Sequence, residues 1–349
     1  MTVPPSAPAT LRQVAKHAGV HLSTVSRALD PERRHLISRD IVAKVEAAAK
    51  ELGWRPNRAA ASLRRGRSMV IGVLVPDMTN MVTAQIMQGV EAAIVPRGFF
   101  PLVVSMNAVP SGKAMVERLL WQRVDGVVVA TLDDELLAAL AKAGLPAVLT
   151  SRADPDGRFS AVHGDRERAA SLAIDHLHAL GHRRIALLAT PQNMQLGIER
   201  LRFATAALAR HGLEPQAVAV ADGTGRDAGL KAMQQRLAGH GPQARPPFTA
   251  VCAANDLLAL GAYEAARQAG LVVPQHLSVV GQNDMLMADL VSPPLTTVRM
   301  QHLEMGRQAG TLMIEEIEAR ATAEAPRPPR VIVFQPELVV RQSTGAADA

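Results

Sequence analysis

The period of the apolar positions changes along this chain, and the change divides it. Leu11, Val14, Ala15 and Ala18 recur at i, i+3, i+4 and i+7, which is one face of an α-helix, and Thr10 with Gln13 three residues on forms a capping box at its start. Gly19 supplies a stop able to take positive φ, Val20 plugs the turn, and a second short helix is predicted from Leu22 to Leu29. On that helix Val25, Ala28 and Leu29 share the inner face, while Ser23 and Arg27 point outward with Leu22 and Ser26 beside them. A third helix, capped by Ser38, presents Ile41, Val45, Ala48, Ala49 and Leu52 to close a miniature core. Two short helices joined so tightly make a helix-turn-helix candidate, with a plain three-helix bundle as the alternative. After Gly53-Trp54-Arg55-Pro56, Asn57 can cap a short Ala-rich helix that sets Ala60 and Leu63 on one face with Arg58, Arg64 and Arg65 around it. A helix that short is unstable alone in water and is expected to order on DNA or on a partner helix.

From Met69 onward β-rich runs alternate with helical patterns, the signature of βαβ units and parallel sheets. Strands are predicted at Val70 to Val75, Leu102 to Ser105, Gly126 to Ala130 and Ala147 to Thr150, with helices between them. A second set begins near Val162, with strands Ile185 to Ala189, Ala217 to Ala221, Thr249 to Ala253 and Leu277 to Gly281. Leu295 to Val298 and Val331 to Val340 are expected to cross back and add strands to each lobe. Two similar lobes imply a cleft.

Charge sharpens this division. The chain of 349 residues has a net charge of +6, but residues 1–67 hold 13 Lys plus Arg against 5 Asp plus Glu, or +8, which leaves −2 for the remainder. A helically patterned basic segment implies a polyanion-facing surface, with nucleic acid as the expected partner. An outer helix face of Leu22, Ser23, Ser26 and Arg27 suits a major groove: Arg pairs with guanine O6 and N7, Ser bonds a base or phosphate, and Leu touches a thymine methyl. No apolar run approaches the roughly 20 residues of a membrane span, and the first residues lack the basic and apolar regions of a secretory signal, so a cytoplasmic protein without a membrane partner is expected. Cys252, the one cysteine, is read as a buried, inert thiol.

The strings Leu11-Arg12-Gln13-Val14-Ala15, Ala18-Gly19-Val20, Thr24-Val25-Ser26-Arg27-Ala28-Leu29 and Leu52-Gly53-Trp54-Arg55-Pro56-Asn57 resemble the lactose-repressor (LacI/GalR) family of bacterial transcription regulators. Gly181-His182-Arg183-Arg184-Ile185, the segment Ala254 to Gly261 and Pro293-Pro294-Leu295-Thr296-Thr297-Val298 extend the resemblance over nearly the whole chain. It implies an all-α helix-turn-helix headpiece on an α/β periplasmic-binding-protein-like type I core of two parallel-sheet lobes. The expected organisation is a headpiece at 1–56, a hinge at 57–67, an N-terminal lobe at 68–161 plus 291–325, a C-terminal lobe at 162–290 plus 326–343, and a disordered tail at 344–349. The implied activity is repression through a palindromic double-stranded operator bound by a homodimer. DNA contacts are expected from Leu22, Ser23, Thr24, Ser26 and Arg27, and from Asn57, Arg58, Ala60, Leu63 and Arg64, with Leu63 as a minor-groove wedge. His21 stands where the family usually has a capping serine; imidazole can accept in its place, but not once protonated.

Parallel sheets bind ligands outside the carboxyl ends of their strands, which selects Asp77, Asn80, Ser151, Arg152, Asn255, Asp256, Asn283 and Asp284. Each also suits a plain turn or cap. The resemblance adds Arg200 and keeps Asn255 and Asn283, so the expected effector residues are Asp77, Asn80, Arg152, Arg200, Asn255 and Asn283. Asn80-Met81-Val82 and Gly281-Gln282-Asn283-Asp284 lack the aromatic residues usual in the family, so its sugar or purine specificity does not carry over. Asn283 in place of the usual aspartate, beside Arg152 and Arg200, favours an organic acid or a phosphorylated metabolite as effector. The alternative is a neutral pocket in which Arg152 pairs with Asp154 or Asp156 and Arg200 with Asp284.

Two other functions compete. Gly223-Thr224-Gly225-Arg226-Asp227-Ala228-Gly229 suggests a dinucleotide loop, but its last glycine is one place late and the turn that starts a helix explains it better. With no metalloprotease, nucleophile-elbow or phosphate-loop motif, no enzyme, cofactor or metal is expected. A solute-binding protein without DNA binding is opposed by the basic segment, and heparin retention of residues 1–67 discriminates the two.

Overall fold

The computed structural model describes residues 9–30, 33–54, 67–76, 78, 81–106, 111–130, 133–322 and 328–347, grouped in two compact units, 1–68 and 69–349. In the first unit, α1 (Leu11–Ala18), α2 (Leu22–Ala28) and α3 (Arg39–Glu51) pack around Val14, Ala18, Val25, Ala28, Val45 and Ala48. Both halves of the capping box are made: Gln13 Oε1 accepts from Thr10 N at 2.7 Å and Thr10 Oγ1 accepts from Gln13 N at 3.4 Å. Gly19 ends α1 at φ 61°, where a Cβ is disfavoured, and Val20 N donates back to Ala15 O at 3.1 Å. Two details of α3 differ from expectation. Val42 takes the buried place given to Ile41, which lies half-buried at the edge, and Ser38 makes no side-chain cap.

The second unit contains two six-stranded sheets. The first holds β1 (Val70–Val75), β2 (Phe100–Ser105), β3 (Gly126–Val129), β4 (Ala147–Leu149), β5 (Ser160–Gly164) and β11 (Val331–Phe334), in the order β11-β5-β4-β3-β1-β2 and all parallel. The second holds β6 (Ile185–Ala189), β7 (Ala217–Val220), β8 (Ala250–Ala253), β9 (Ser278–Asn283), β10 (Thr296–Arg299) and β12 (Glu337–Val339), in the order β12-β10-β9-β8-β6-β7. Only β12 runs antiparallel, against β10. These strands are nearly continuous runs of Val, Ile, Leu and Ala because helices cover both faces. The helices are α4 (Met81–Ile94), α5 (Gly112–Trp121), α6 (Asp134–Ala143), α7 (Arg166–Ala179), α8 (Gln195–Arg210), α9 (Arg226–Leu237), α10 (Asp256–Gln268) and α11 (His302–Ala321).

Pairing corrects the expected lobe boundaries. A cut between 161 and 162 falls inside β5, which joins β4 and β11, so the first lobe runs on to Gly164. Residues 291–325 divide: β10 pairs with β9 in the second sheet, while α11 packs in the first lobe's core with α4. Residues 326–343 divide as well, since β11 and β12 lie in different sheets. The segment 344–347 is not a loose tail. Gly345 N donates to Ser278 Oγ at 3.1 Å, Ala347 N to Leu180 O at 2.8 Å, and Gly345 O lies 3.1 Å from His182 Nε2. The glycine loop at 223–229 is a helix start, with Gly225 at the N-cap of α9 and Gly229 pressed on Leu258 of α10.

Candidate functional site

On the first unit, α2 turns Leu22, Ser23 and Arg27 to solvent and leaves Thr24 and Ser26 half-buried. A shallow groove lined by Arg12, His21, Leu22, Ser23 and Ser26 runs beside this row. Arg34 is paired with Glu46 and His17 with Glu51, but Arg12 and Arg27 have no ion-pair partner among the described residues. The substituted cap works: His21 Nδ1 accepts from Ser23 N at 3.3 Å and lies 2.8 Å from Ser23 Oγ. Because that nitrogen carries no proton, the hydroxyl must donate to it, which leaves Ser23 Oγ with acceptor capacity toward a base amino group. The hinge residues Asn57, Arg58, Ala60, Leu63 and Arg64 lie outside the described residues.

In the second unit, the carboxyl ends of β4, β5, β8, β9 and β10 lead into the residues of interest. Arg152, after β4, pairs with Asp134 at 2.6 Å, and its Nε is buried without a hydrogen bond. Asp154 is taken by Arg158, in two bonds of 2.9 Å, and Asp284 by Arg299 at 2.8 Å and Arg341 at 2.7 Å. The neutral-pocket pairings of Arg152 with Asp154 or Asp156, and of Arg200 with Asp284, are therefore absent. Arg200, on α8, has a buried Nε without a partner, and burial, then neighbouring Arg166, draw its pKa down to about 10.

Asn255 is buried with both ends of its amide engaged: Oδ1 caps α10 by accepting from Leu258 N at 2.8 Å, and Nδ2 donates to Thr224 O at 3.0 Å. Its place is explained by the fold, as Asn at an N-cap often is. Asn283, at φ 111°, ends β9 with Oδ1 3.4 Å from His302 Nε2. Asp77 and Asn80 lie outside the described residues.

Two residues of the cluster were not selected from the sequence. Arg166 opens α7 directly after β5, pairs with Glu199 at 3.0 Å, and has its pKa lowered by burial against that pairing. His302 opens α11 after β10, buried, with Nδ1 unpartnered; burial and then Arg200 hold its pKa at about 3. The post-strand rule covers both once β5 and β10 are ended correctly. Asp256 accepts from Thr297 Oγ1 at 2.5 Å and Met285 N at 2.7 Å, and burial raises its pKa to about 7. Cys252 is half-buried against a cavity beside Arg166 and Arg200, and burial of its thiol pushes the pKa up to about 12.

A headpiece with an open basic reading face, carried in one chain with a two-sheet core whose strand ends gather unpaired polar groups, defines a DNA-binding transcription regulator. Residues 10–57 match the family of bacterial regulatory proteins, lacI family, and residues 174–344 match the periplasmic binding protein-like domain. The HTH-type transcriptional repressor CytR of Escherichia coli strain K12 is 32% identical over 344 residues, 97% of each chain. The chain belongs to the lacI family. Among solved structures, the lac repressor dimer bound to operator and the anti-inducer ONPF superposes with a TM-score of 0.82 at 30% identity, over 97% of this chain and 100% of that one. The transcriptional regulator CelR–cellobiose complex does so with a TM-score of 0.71 at 32% identity, over 96% and 99%. No helix among the described residues is long and apolar enough to cross a membrane.

Proposed function

We propose that this regulator acts in the cytoplasm as a homodimeric repressor on a palindromic operator, one headpiece to each half-site, and that a small molecule held between the lobes of its core controls that binding. The observation that carries the DNA reading is the row Leu22, Ser23 and Arg27, exposed on a headpiece where Arg27 and Arg12 have no acidic partner among the described residues. Arg27 reads guanine, Ser23 accepts from an adenine or cytosine amino group, Leu22 meets a thymine methyl, and Thr24 and Ser26 contact the backbone. The lac repressor, seen as an operator-bound dimer, supports the same arrangement here. Selection of random DNA by the full chain should enrich a two-fold symmetric site. Arg27→Ala should then lose about 10- to 100-fold in affinity for it and relax one position per half-site, as read by fluorescence anisotropy. Enrichment of no sequence would defeat the assignment.

The hinge carries a second test. Asn57, Arg58, Ala60 and Arg64 are assigned to the backbone and groove walls, and Leu63 to a wedge between base steps. Leu63→Ala should weaken operator binding more than random-DNA binding, because only the kinked site uses the wedge. Arg64→Ala should weaken both and flatten the log-log salt dependence by about one unit. Equal losses on both DNAs for Leu63→Ala remove the wedge.

For the dimer, support comes from the loop after β9, where Leu286 is 74% and Leu290 78% exposed. Apolar side chains so exposed close together suit a subunit contact. Leu286→Glu with Leu290→Glu should raise the dimer dissociation constant at least about tenfold in sedimentation equilibrium; an unchanged constant places the contact elsewhere. The effector reading rests on Arg200 and Asn283 in the second lobe and on Arg152 in the first, to which Asp77 and Asn80 are also assigned. Asn255 serves as its scaffold.

A further inference from the structure

Three guanidiniums of the core sit close enough to act on one another, and one of them has no carboxylate of its own. After burial, which comes first in each case, Arg152 lowers the pKa of Arg166, Arg166 that of Arg200, and Arg200 that of His302. Glu199 pairs with Arg166 and Asp134 with Arg152. Asp256 acts on Arg200 only at a distance, both its oxygens being occupied by Thr297 and Met285. Asp284, next along the chain from Asn283, is held by Arg299 and Arg341. Of the three, Arg200 alone has no carboxylate partner among the described residues, and its Nε, like that of Arg152, is buried without a hydrogen bond. Such groups are costly where nothing answers them, and a bound ligand that does so answers for their presence.

His302 adds a second demand of opposite sense. Asn283 Oδ1 can only accept, so His302 Nε2 carries the ring proton, and the buried, unpartnered Nδ1 is a bare acceptor. Beside Arg166 and Arg200 lies a cavity of about 30 Å³ walled by Ala170, Ala173, Ala204 and Cys252. It has room for roughly two or three heavy atoms, and its wall is apolar.

Resting on the reading that the cleft takes the effector, we propose that this effector is a short-chain hydroxy carboxylic acid: its carboxylate pairs with Arg200, its hydroxyl donates to His302 Nδ1, and its alkyl arm fills the cavity over Cys252. A phosphate monoester, with nearly two charges at neutral pH, exceeds the single unpaired guanidinium. A neutral sugar leaves that charge unanswered.

The test is thermal shift and calorimetry on the full chain with lactate, 2-hydroxybutyrate and 3-hydroxybutyrate, set against butyrate, 1,3-butanediol, ribose, ribose 5-phosphate and cellobiose. Each hydroxy acid that fits should bind more tightly than butyrate, and butanediol and the sugars should give no shift. Arg200→Met should abolish the response and, with the orphaned cation gone, raise the ligand-free melting temperature by about 2 °C or more. His302→Phe should keep the response to butyrate while the hydroxy-acid preference falls to unity. Binding by ribose 5-phosphate or a neutral sugar in place of the acids overturns the proposal, as does silence from all three hydroxy acids or a lower ligand-free melting temperature for Arg200→Met. Operator affinity, measured alongside, separates the two claims. If a sugar alters it and the acids do not, the acid assignment falls and cleft control stands; if bound ligands of every kind leave it unchanged, cleft control falls.

Discussion

Asp256→Asn should make core stability rise more steeply with pH between about 4 and 6.5, by removing the one opposing contribution of a pair. Asp256 has its pKa raised by burial from 3.8 to about 7, so between those values the native state keeps a proton that the unfolded chain releases, and stability falls as pH rises. His302 has its pKa lowered by burial from 6.5 to about 3, so the native state stays neutral where the unfolded chain takes up a proton, and stability falls as pH drops. The two windows overlap from about pH 4 to 6.5, where the slopes are opposed, each about 1.4 kcal/mol per pH unit. In the wild type they offset each other. Asparagine can still accept from Met285 N and donate to Thr297 Oγ1, so the exchange removes the titration without orphaning either group. The variant should therefore gain stability steadily from pH 4 to 6.5, and above pH 7, where the wild type must bury an ionised carboxylate, exceed it by on the order of 4 kcal/mol. His302→Phe should tilt the other way. Urea unfolding across this range measures both, and parallel profiles for wild type and Asp256→Asn would refute the account.

These two groups also show where sequence reading succeeds and stops. The headpiece was legible because its determinants are local: Thr10 with Gln13, Gly19 and the spacing of Val14, Ala18, Val25 and Ala28 each act within a turn or two. Strand positions in the core were legible for the same reason. Membership of a sheet was not, because β5, β10 and β11 are assigned by partners far along the chain: Val331 pairs with Ala161, and Thr296 with Val280. The error travelled to the site. Ending the first lobe at 161 hid Arg166 as a post-strand residue, and among scattered histidines nothing marked His302 as buried with a bare nitrogen. Asn255 carried two readings in the sequence, strand-end ligand and helix cap, and the cap is made. The ordered segment 344–347 was missed because its anchors, Ser278, His182 and Leu180, lie far back along the chain.

The largest loss of stability is expected from a single methyl group at Gly306. Helices α4 and α11 meet through glycine: a Cβ on Gly89 would lie 2.0 Å from Leu303 O, and one on Gly306 2.1 Å from Ile86 O. Both obstacles are backbone, so no rotamer change relieves them and the helices must part. Overpacking of this kind costs about 3 kcal/mol or more, against the roughly 1 kcal/mol that Ala gains over Gly inside a helix. Packing wins, and Gly306→Ala should lower the melting temperature of the core by about 5 °C or more. Gly310→Ala should cost less, because its first obstacle is the Ala93 Cβ at 2.9 Å and Val90 O stands back at 3.0 Å. The shift also reaches the cleft, because α11 begins at His302, four residues from Gly306, and a helix pushed outward carries that acceptor with it. Gly306→Ala should therefore weaken discrimination between hydroxylated and plain acids as well as stability, whereas Gly310→Ala, a turn further along, should spare it. A Gly306→Ala protein that melts within about 1 °C of the wild type would show that the seam yields at little cost.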